Sequence, residues 1–231
     1  MNDLDKLFYL IYQPIVRIIS DGETESYEFE VLLRSKETNR FPANEFNEIV
    51  TYDETNRIFL DWYERKLTEK ALNFREIYFS INFHPQQWEH PSTYIFLRNM
   101  APLSNRLVIE LTEHLPTNMN MKYYENAFEV MAQHGFLVAV DDVGSGMNSL
   151  SFLVNYVDYI YRLKFSLLHF KKMKPCVLSS FLNSWNYFAK EYKKELVVEG
   201  VENQEISSKL FEKGINLQQG YLFGKGSTLE D

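Results

Sequence analysis

The chain has 231 residues, 45% hydrophobic and 16% aromatic, which is enough for one large domain with a sizeable core and excludes wholesale disorder. A net charge of −8 argues against gripping a nucleic acid polymer through a broad basic face; a small anionic ligand stays open, because a bound metal reverses the local field. The lone Cys176 cannot form an internal disulfide, and no secretory pattern or apolar run of about 18 residues occurs, so the chain reads as cytoplasmic, with no membrane association.

In chain order, Leu7 to Ile19 reads as a strand interrupted at Pro14, with Gln13 just before the break. Asp21-Gly22 turns into a second strand, Glu25 to Arg34, whose alternation puts Glu28, Glu30, Leu32 and Arg34 on one face. From Phe41-Pro42 a helical region runs to about Asn73 with a break near Tyr52. Ile77–Phe83 is a strand carrying Asn82, and Leu107–Leu111 is one carrying Glu110. Lys122–His134 reads as a helix stopped by Gly135, followed by the apolar run Phe136–Val140. That run ends in Asp141 and Asp142 and then in a small, flexible turn, Gly144-Ser145-Gly146.

Asp158–Phe165 is strand-like, with Arg162 and Lys164 on one face and Tyr159, Tyr161, Leu163 and Phe165 on the other. Pro175–Lys194 is a long helix with Trp185, Phe188 and Tyr192 as expected core contacts. Leu196–Glu199 is a strand ending in a carboxylate, the next helix stops at Gly214, and Leu217–Phe223 closes the set. About eight strands with helices between most of them indicate an α/β fold, a (β/α)8 TIM-like barrel. The chain reads as a single domain, 1–231, whose last helix is missing or abbreviated, because such a helix would begin where the sequence stops.

Glu30, Asn82, Glu110, Asp141 with Asp142, Glu199 and Gln219 fall near the ends of six separate predicted strands. A single charged residue at a strand end usually faces solvent; six in phase point to one shared site at the active rim of a barrel. Adjacent carboxylates such as Asp141 and Asp142 repel each other unless a cation lies between them. Oxygen donors of this kind suit Mg²⁺, Mn²⁺ or Ca²⁺, and one cysteine with scattered histidines makes a poor zinc site.

These residues stand in seven ordered motifs: Tyr12-Gln-Pro-Ile15, Glu30-Val-Leu-Leu-Arg34, Asn82, Glu110-Leu-Thr-Glu113, Asp141-Asp-Val-Gly-Ser-Gly146, Glu199-Gly-Val-Glu202 and Gln219-Gly-Tyr221. Along nearly its whole length the chain resembles the EAL domain of bacterial cyclic-di-GMP phosphodiesterases, with the name-giving triplet written Glu30-Val31-Leu32. The resemblance implies metal-dependent hydrolysis of cyclic-di-GMP to the linear dinucleotide pGpG, using two Mg²⁺ or Mn²⁺ ions. It assigns Glu30, Asn82, Glu110 and Asp141 to one ion and Asp141 with Asp142 to a second, with Glu199 nearby as ligand or base. Gln13 and Arg34 match positions that contact the dinucleotide, Gln219 borders its site, and Glu113 matches the residue that steadies the loop after Asp142. A homodimer formed near that loop is also implied.

The chain departs from the family at the strand that carries a catalytic lysine in a Lys-Ile-Asp sequence. Ungapped alignment puts Arg162 at the lysine position and Lys164 at the aspartate; a two-residue insertion aligns Lys164 with the lysine instead. We take Lys164 as the working lysine, with Arg162 as the alternative catalytic residue, since the two share a face under either alignment. His84 stands where the family has serine, Val143 and Met147 replace aromatic positions, and Gly224-Lys-Gly226 lacks a proline. Two functions follow: an active phosphodiesterase, or a degenerate member that binds cyclic-di-GMP or a protein partner without turnover.

Overall fold

Two long strands begin the fold: β1 (Phe8–Ser20), after the single-turn helix α1 (Leu4–Leu7), and β2 (Glu23–Ser35), paired antiparallel from Phe8↔Ser35 to Ser20↔Glu23. The computed structural model describes residues 4–20, 22–74, 76–114 and 120–229. Helices α2 (Ala43–Thr51) and α3 (Asp53–Asn73) follow, then β3 (Phe79–Phe83), α4 (Pro91–Met100), β4 (Leu107–Leu111), α5 (Met121–His134) and β5 (Leu137–Val140). The chain continues through α6 (Leu150–Tyr156), β6 (Arg162–Ser166), α7 (Pro175–Glu191), β7 (Glu195–Glu199), α8 (Gln204–Glu212) and β8 (Leu217–Gln219). The strands close a barrel in sequence order. β2 to β8 run parallel to one another, and β1 alone is antiparallel to both its neighbours. The α/β barrel expected from the sequence is therefore the fold.

Pro14 does not interrupt β1. The Tyr12 N–H reaches the carbonyl of Ser227, and the ladder to β8 begins only at Ile15. The Pro14 nitrogen faces the same side as that of Tyr12 and falls in the gap between those contacts, where no donor is needed. β6 starts four residues later than expected, because the Tyr159 and Ile160 N–H groups close a turn onto Tyr156 and Val157. β8 ends at Gln219 rather than Phe223, because the next residues fold into a turn with Phe223 N–H on the Gly220 carbonyl. Helices α4 and α6 are not anticipated from the sequence. They are ten and seven residues long.

The main core lies between the outward faces of the strands (Val31, Ile81, Ile109, Val138, Leu163, Val198) and the helices (Leu67, Phe96, Phe128, Trp185, Leu210). Of the aromatics expected in the core from α7, Trp185 is buried, while Tyr192 is 45% exposed at the helix end, its ring 4.5 Å from Phe188. Inside the barrel the apolar content is small, a plug of Ile15, Val197 and Leu217 against Tyr27. Polar side chains fill the rest, and they define the site. Among the described residues no helix is long and apolar enough to cross a membrane.

Candidate active site

Period-two alternation sends Glu28 and Glu30 of β2, Glu110 of β4 and Arg162 and Lys164 of β6 into the barrel, where all five are buried. They form two layers. The lower layer is built on Arg162: its Nη1 is 2.7 Å from Glu28, both side chains 1% exposed, and its Nη2 is 2.9 Å from Glu195. The Tyr27 hydroxyl donates to Glu195 at 2.8 Å, and the rings of Tyr27 and Tyr161 flank the guanidinium. Burial opposes the charge on Arg162, but Glu28 and Glu195 more than compensate and hold it protonated.

Two residues further along the same strand, Lys164 belongs to the upper layer. Its Cα is paired with Val197, one inward position below Glu199, and its stem carries Nζ up to the rim. Nζ lies 2.6 Å from Glu110, 2.7 Å from Glu199, 3.3 Å from Glu30 and 3.5 Å from Asp141, carboxylates from four different strands or strand ends. Glu30 also accepts from the amides of Asn82 and Gln219, both at 2.7 Å. Thus Glu30, Asn82, Glu110, Asp141, Glu199, Gln219 and Lys164 come together as the sequence predicts, and Arg162 does not join them.

The loop after β5 is held by several hydrogen bonds. Asp142 adopts a left-handed conformation (φ 46°), and the Val143 N–H donates to the Lys164 carbonyl. The Met147 N–H reaches the carbonyl of Glu113, and the side-chain amide of Asn148 donates to the carbonyls of Leu111 and Asp141. Glu113 therefore meets this loop through its main-chain carbonyl. Its carboxylate does something further: one oxygen from each of Glu113, Asp141 and Asp142 lies within 4.8 Å of the others. Val143 and Met147 are both buried beneath the loop.

Too many acids crowd this rim for their charges to coexist unaided. Burial raises Glu110 to about 8, helped by Glu30 and Asp141 and resisted by Lys164. Asp142 rises to about 7 through burial and the charges of Asp141 and Glu113. Burial also raises Asp141 and Glu199. Glu30 alone is lowered: the Lys164 ammonium and the amides of Asn82 and Gln219 outweigh its burial. One oxygen of Glu110 is buried with no hydrogen-bond partner, and the buried oxygens of Asp141, Asp142 and Glu199 face only Lys164 or His169. Buried carboxylate oxygens converging on one rim, with an amide beside them and no sulfur, form a donor set that fits a hard divalent cation.

Two cavities flank the acids. One of about 400 Å³ is lined by Gln13, Glu30, Glu199, Gln219 and Tyr221. The other, about 310 Å³ and largely apolar, is lined by Arg34, Phe46, Asn82 and His84. Gln13 donates to the Gly224 carbonyl, and Arg34 donates to the carbonyl of Leu33. His84 makes a local hydrogen bond: its Nδ1 accepts from the Gln86 N–H and caps the turn 85–89, and burial lowers its pKa to about 4. The sequence reading missed His169, whose Nδ1 is 3.1 Å from Asp142. It also missed Asn148. Neither lies on a strand, so no periodicity marks them.

A closed eight-stranded α/β barrel whose rim gathers carboxylates from several strand ends has the arrangement of a barrel enzyme. The particular family is established by comparison: residues 3–226 match the EAL domain, and the chain belongs to that family. Among curated proteins it is 32% identical over 133 residues to the probable cyclic di-GMP phosphodiesterase PdeG of Escherichia coli (strain K12), covering 54% of this chain and 24% of that protein. It is 27% identical over 231 residues to the cyclic di-GMP phosphodiesterase RocR of Pseudomonas aeruginosa, covering 94% of this chain and 57% of that one. The chain thus spans between about a quarter and somewhat over half of these relatives. In fold it is similar to Klebsiella pneumoniae BlrP1, solved as a manganese/cyclic-di-GMP complex, with a TM-score of 0.77, 21% identity, and 95% of this chain and 56% of that chain covered.

Proposed function

We propose that this chain hydrolyses cyclic-di-GMP to the linear dinucleotide pGpG with two Mg²⁺ or Mn²⁺ ions. The observation that carries the reading is the convergence of Glu30, Glu110, Asp141, Asp142 and Glu199 on one rim. Family membership and relatives named as cyclic di-GMP phosphodiesterases support the substrate.

In this reading Glu30, Asn82, Glu110 and Asp141 hold one ion, and Asp141 with Asp142 holds the second, near Glu199. Bound there, a metal pair would supply a hydroxide nucleophile at neutral pH and stabilise charge on the phosphodiester. The chain's own groups do the rest. Gln219 and Asn82 orient Glu30 through its two oxygens. Lys164, on the inner wall, orients the nucleophile. The pinned loop 141–148 sets the spacing of the two aspartates. The cavities on either side of the acids take the two arms of the dinucleotide, with Gln13 and Gln219 on one side and Arg34 on the other. Arg162, paired with Glu28 and Glu195, supports the barrel from below and takes no part in the chemistry.

A second reading, ligand binding without turnover, is favoured by the β6 strand, Arg162-Leu-Lys-Phe165, which departs from the family's Lys-Ile-Asp sequence. Turnover of cyclic-di-GMP in Mg²⁺ or Mn²⁺, abolished by excess chelator, is the expected result. Calorimetric binding of cyclic-di-GMP with no cleavage under single-turnover conditions would establish the second reading instead. Lys164→Ala should reduce turnover by ~10²–10³, the usual cost of one positioned electrostatic or proton-handling group, while binding survives. Self-association is part of the proposal: Leu150 of α6, Phe181 and Tyr187 of α7 and Tyr192 just after it expose an apolar face, and sedimentation velocity tests it.

A further inference from the structure

The rim already holds one cation. We infer that the Lys164 ammonium is a tethered stand-in for the metal: it occupies the point on which the carboxylates converge, and it must shift off that point, staying beside it on the inner wall, before an ion can be bound there. The inference rests on the metal-binding part of the function proposed above and adds to it a built-in competitor.

Three observations carry it. First, Nζ lies within 3.5 Å of Glu30, Glu110, Asp141 and Glu199, and its side chain is 1% exposed, so it sits among the acids and not beside them. An ion drawing oxygens from Glu30, Glu110 and Asp141 would converge on the same volume, and two cations cannot share it. Second, the ammonium is a poor fit there. It has three N–H bonds for four carboxylates, so Glu110 and Glu199 at 2.6 and 2.7 Å are well served while Glu30 and Asp141 lie at 3.3 and 3.5 Å. One oxygen of Glu110 stays unpaired and the buried Asp141 oxygen is no nearer than 3.5 Å to the ammonium, and a divalent ion taking about six oxygens would use such atoms. Third, the lysine can move. Its four-carbon stem is flexible, and Nζ is not tied to any carboxylate of the lower layer, where Glu28 and Glu195 are committed to Arg162.

Two consequences follow. The barrel can keep its acids together at low metal concentration, and its affinity for the ion is held below what the carboxylates alone would give. The rim would then load in proportion to available metal instead of holding an ion permanently.

The test is titration of Mn²⁺ into the full chain and into Lys164→Met, followed by calorimetry, with thermal unfolding recorded in chelator and in Mn²⁺. The expected result is Mn²⁺ binding at least tenfold tighter in the variant. Its melting temperature in chelator should fall below that of the parent, and its rise on adding Mn²⁺ should be larger. Should the methionine variant unfold in chelator, Lys164→Gln keeps a neutral donor and gives the same comparison. Affinity equal to or weaker than the parent's in the folded variant overturns the inference and leaves the proposed function standing. No Mn²⁺ binding by either protein overturns both.

Discussion

Arg162→Met separates the two alignments of the β6 strand. The substitution removes the guanidinium from a site where Arg162 and Glu28 are each 1% exposed and 2.7 Å apart, leaving Glu28 buried with no counter-charge. Breaking one partner of such a pair costs about 3–5 kcal/mol. Glu195 adds little, because its side chain is 21% exposed and keeps its hydrogen bond from Tyr27. For a chain of this length, that loss lowers the melting temperature by about 6–20 °C. The companion Glu28→Leu/Arg162→Met removes both charges and should recover most of the loss, since apolar replacement of a buried pair is often neutral. Turnover per folded molecule should stay near that of the parent in both variants, because Arg162 lies one layer below the rim. The assay is urea unfolding beside cyclic-di-GMP hydrolysis corrected for the folded fraction. Unchanged stability together with a ~10²-fold loss of turnover would refute the reasoning and make Arg162 the group that handles the nucleophile.

Three further outcomes are expected. Glu30→Ala and Asp141→Ala should each abolish turnover and weaken Mn²⁺ binding with an unchanged circular dichroism spectrum; wild-type hydrolysis by either would sink the metal assignment. Gly146→Ala should weaken Mn²⁺ binding while the barrel stays folded, because a Cβ there would overlap the Glu113 carbonyl oxygen and shift the loop that carries Asp142; unchanged affinity measured by calorimetry would show that the loop does not set the site. Replacing His84 by serine, a good N-cap, tests the low pKa of this residue. Its folded value of about 4 lies below the ordinary 6.5, so the unfolded chain binds more protons between those values, and stability is lost as pH falls from 6.5 toward 4. His84→Ser should therefore lose less stability than the parent between pH 7 and 4.5 in urea melts; parallel losses would refute this.

How much of the barrel is legible in the sequence depends on the range of the interaction responsible. The apolar runs 107–111 and 137–140, the αL stop at Gly135 and the break between α2 and α3 are local features, and local pattern finds them to within a residue or two. Which residues of a strand share a face is equally local, so Glu28 goes with Glu30 and Arg162 with Lys164 from alternation alone. Depth within the barrel interior is not local. Arg162 and Lys164 share a face and differ by two residues, about 6.6 Å along a strand. Which one reaches the acids depends on the stagger of β6 against β7, where Arg162 meets Glu195 and Lys164 meets Val197 beneath Glu199. The same holds for His169 and Asn148, brought to the aspartates by loops that carry no periodic signal. A strand's own sequence determines its two faces; its height against its neighbours comes from closing eight strands at once.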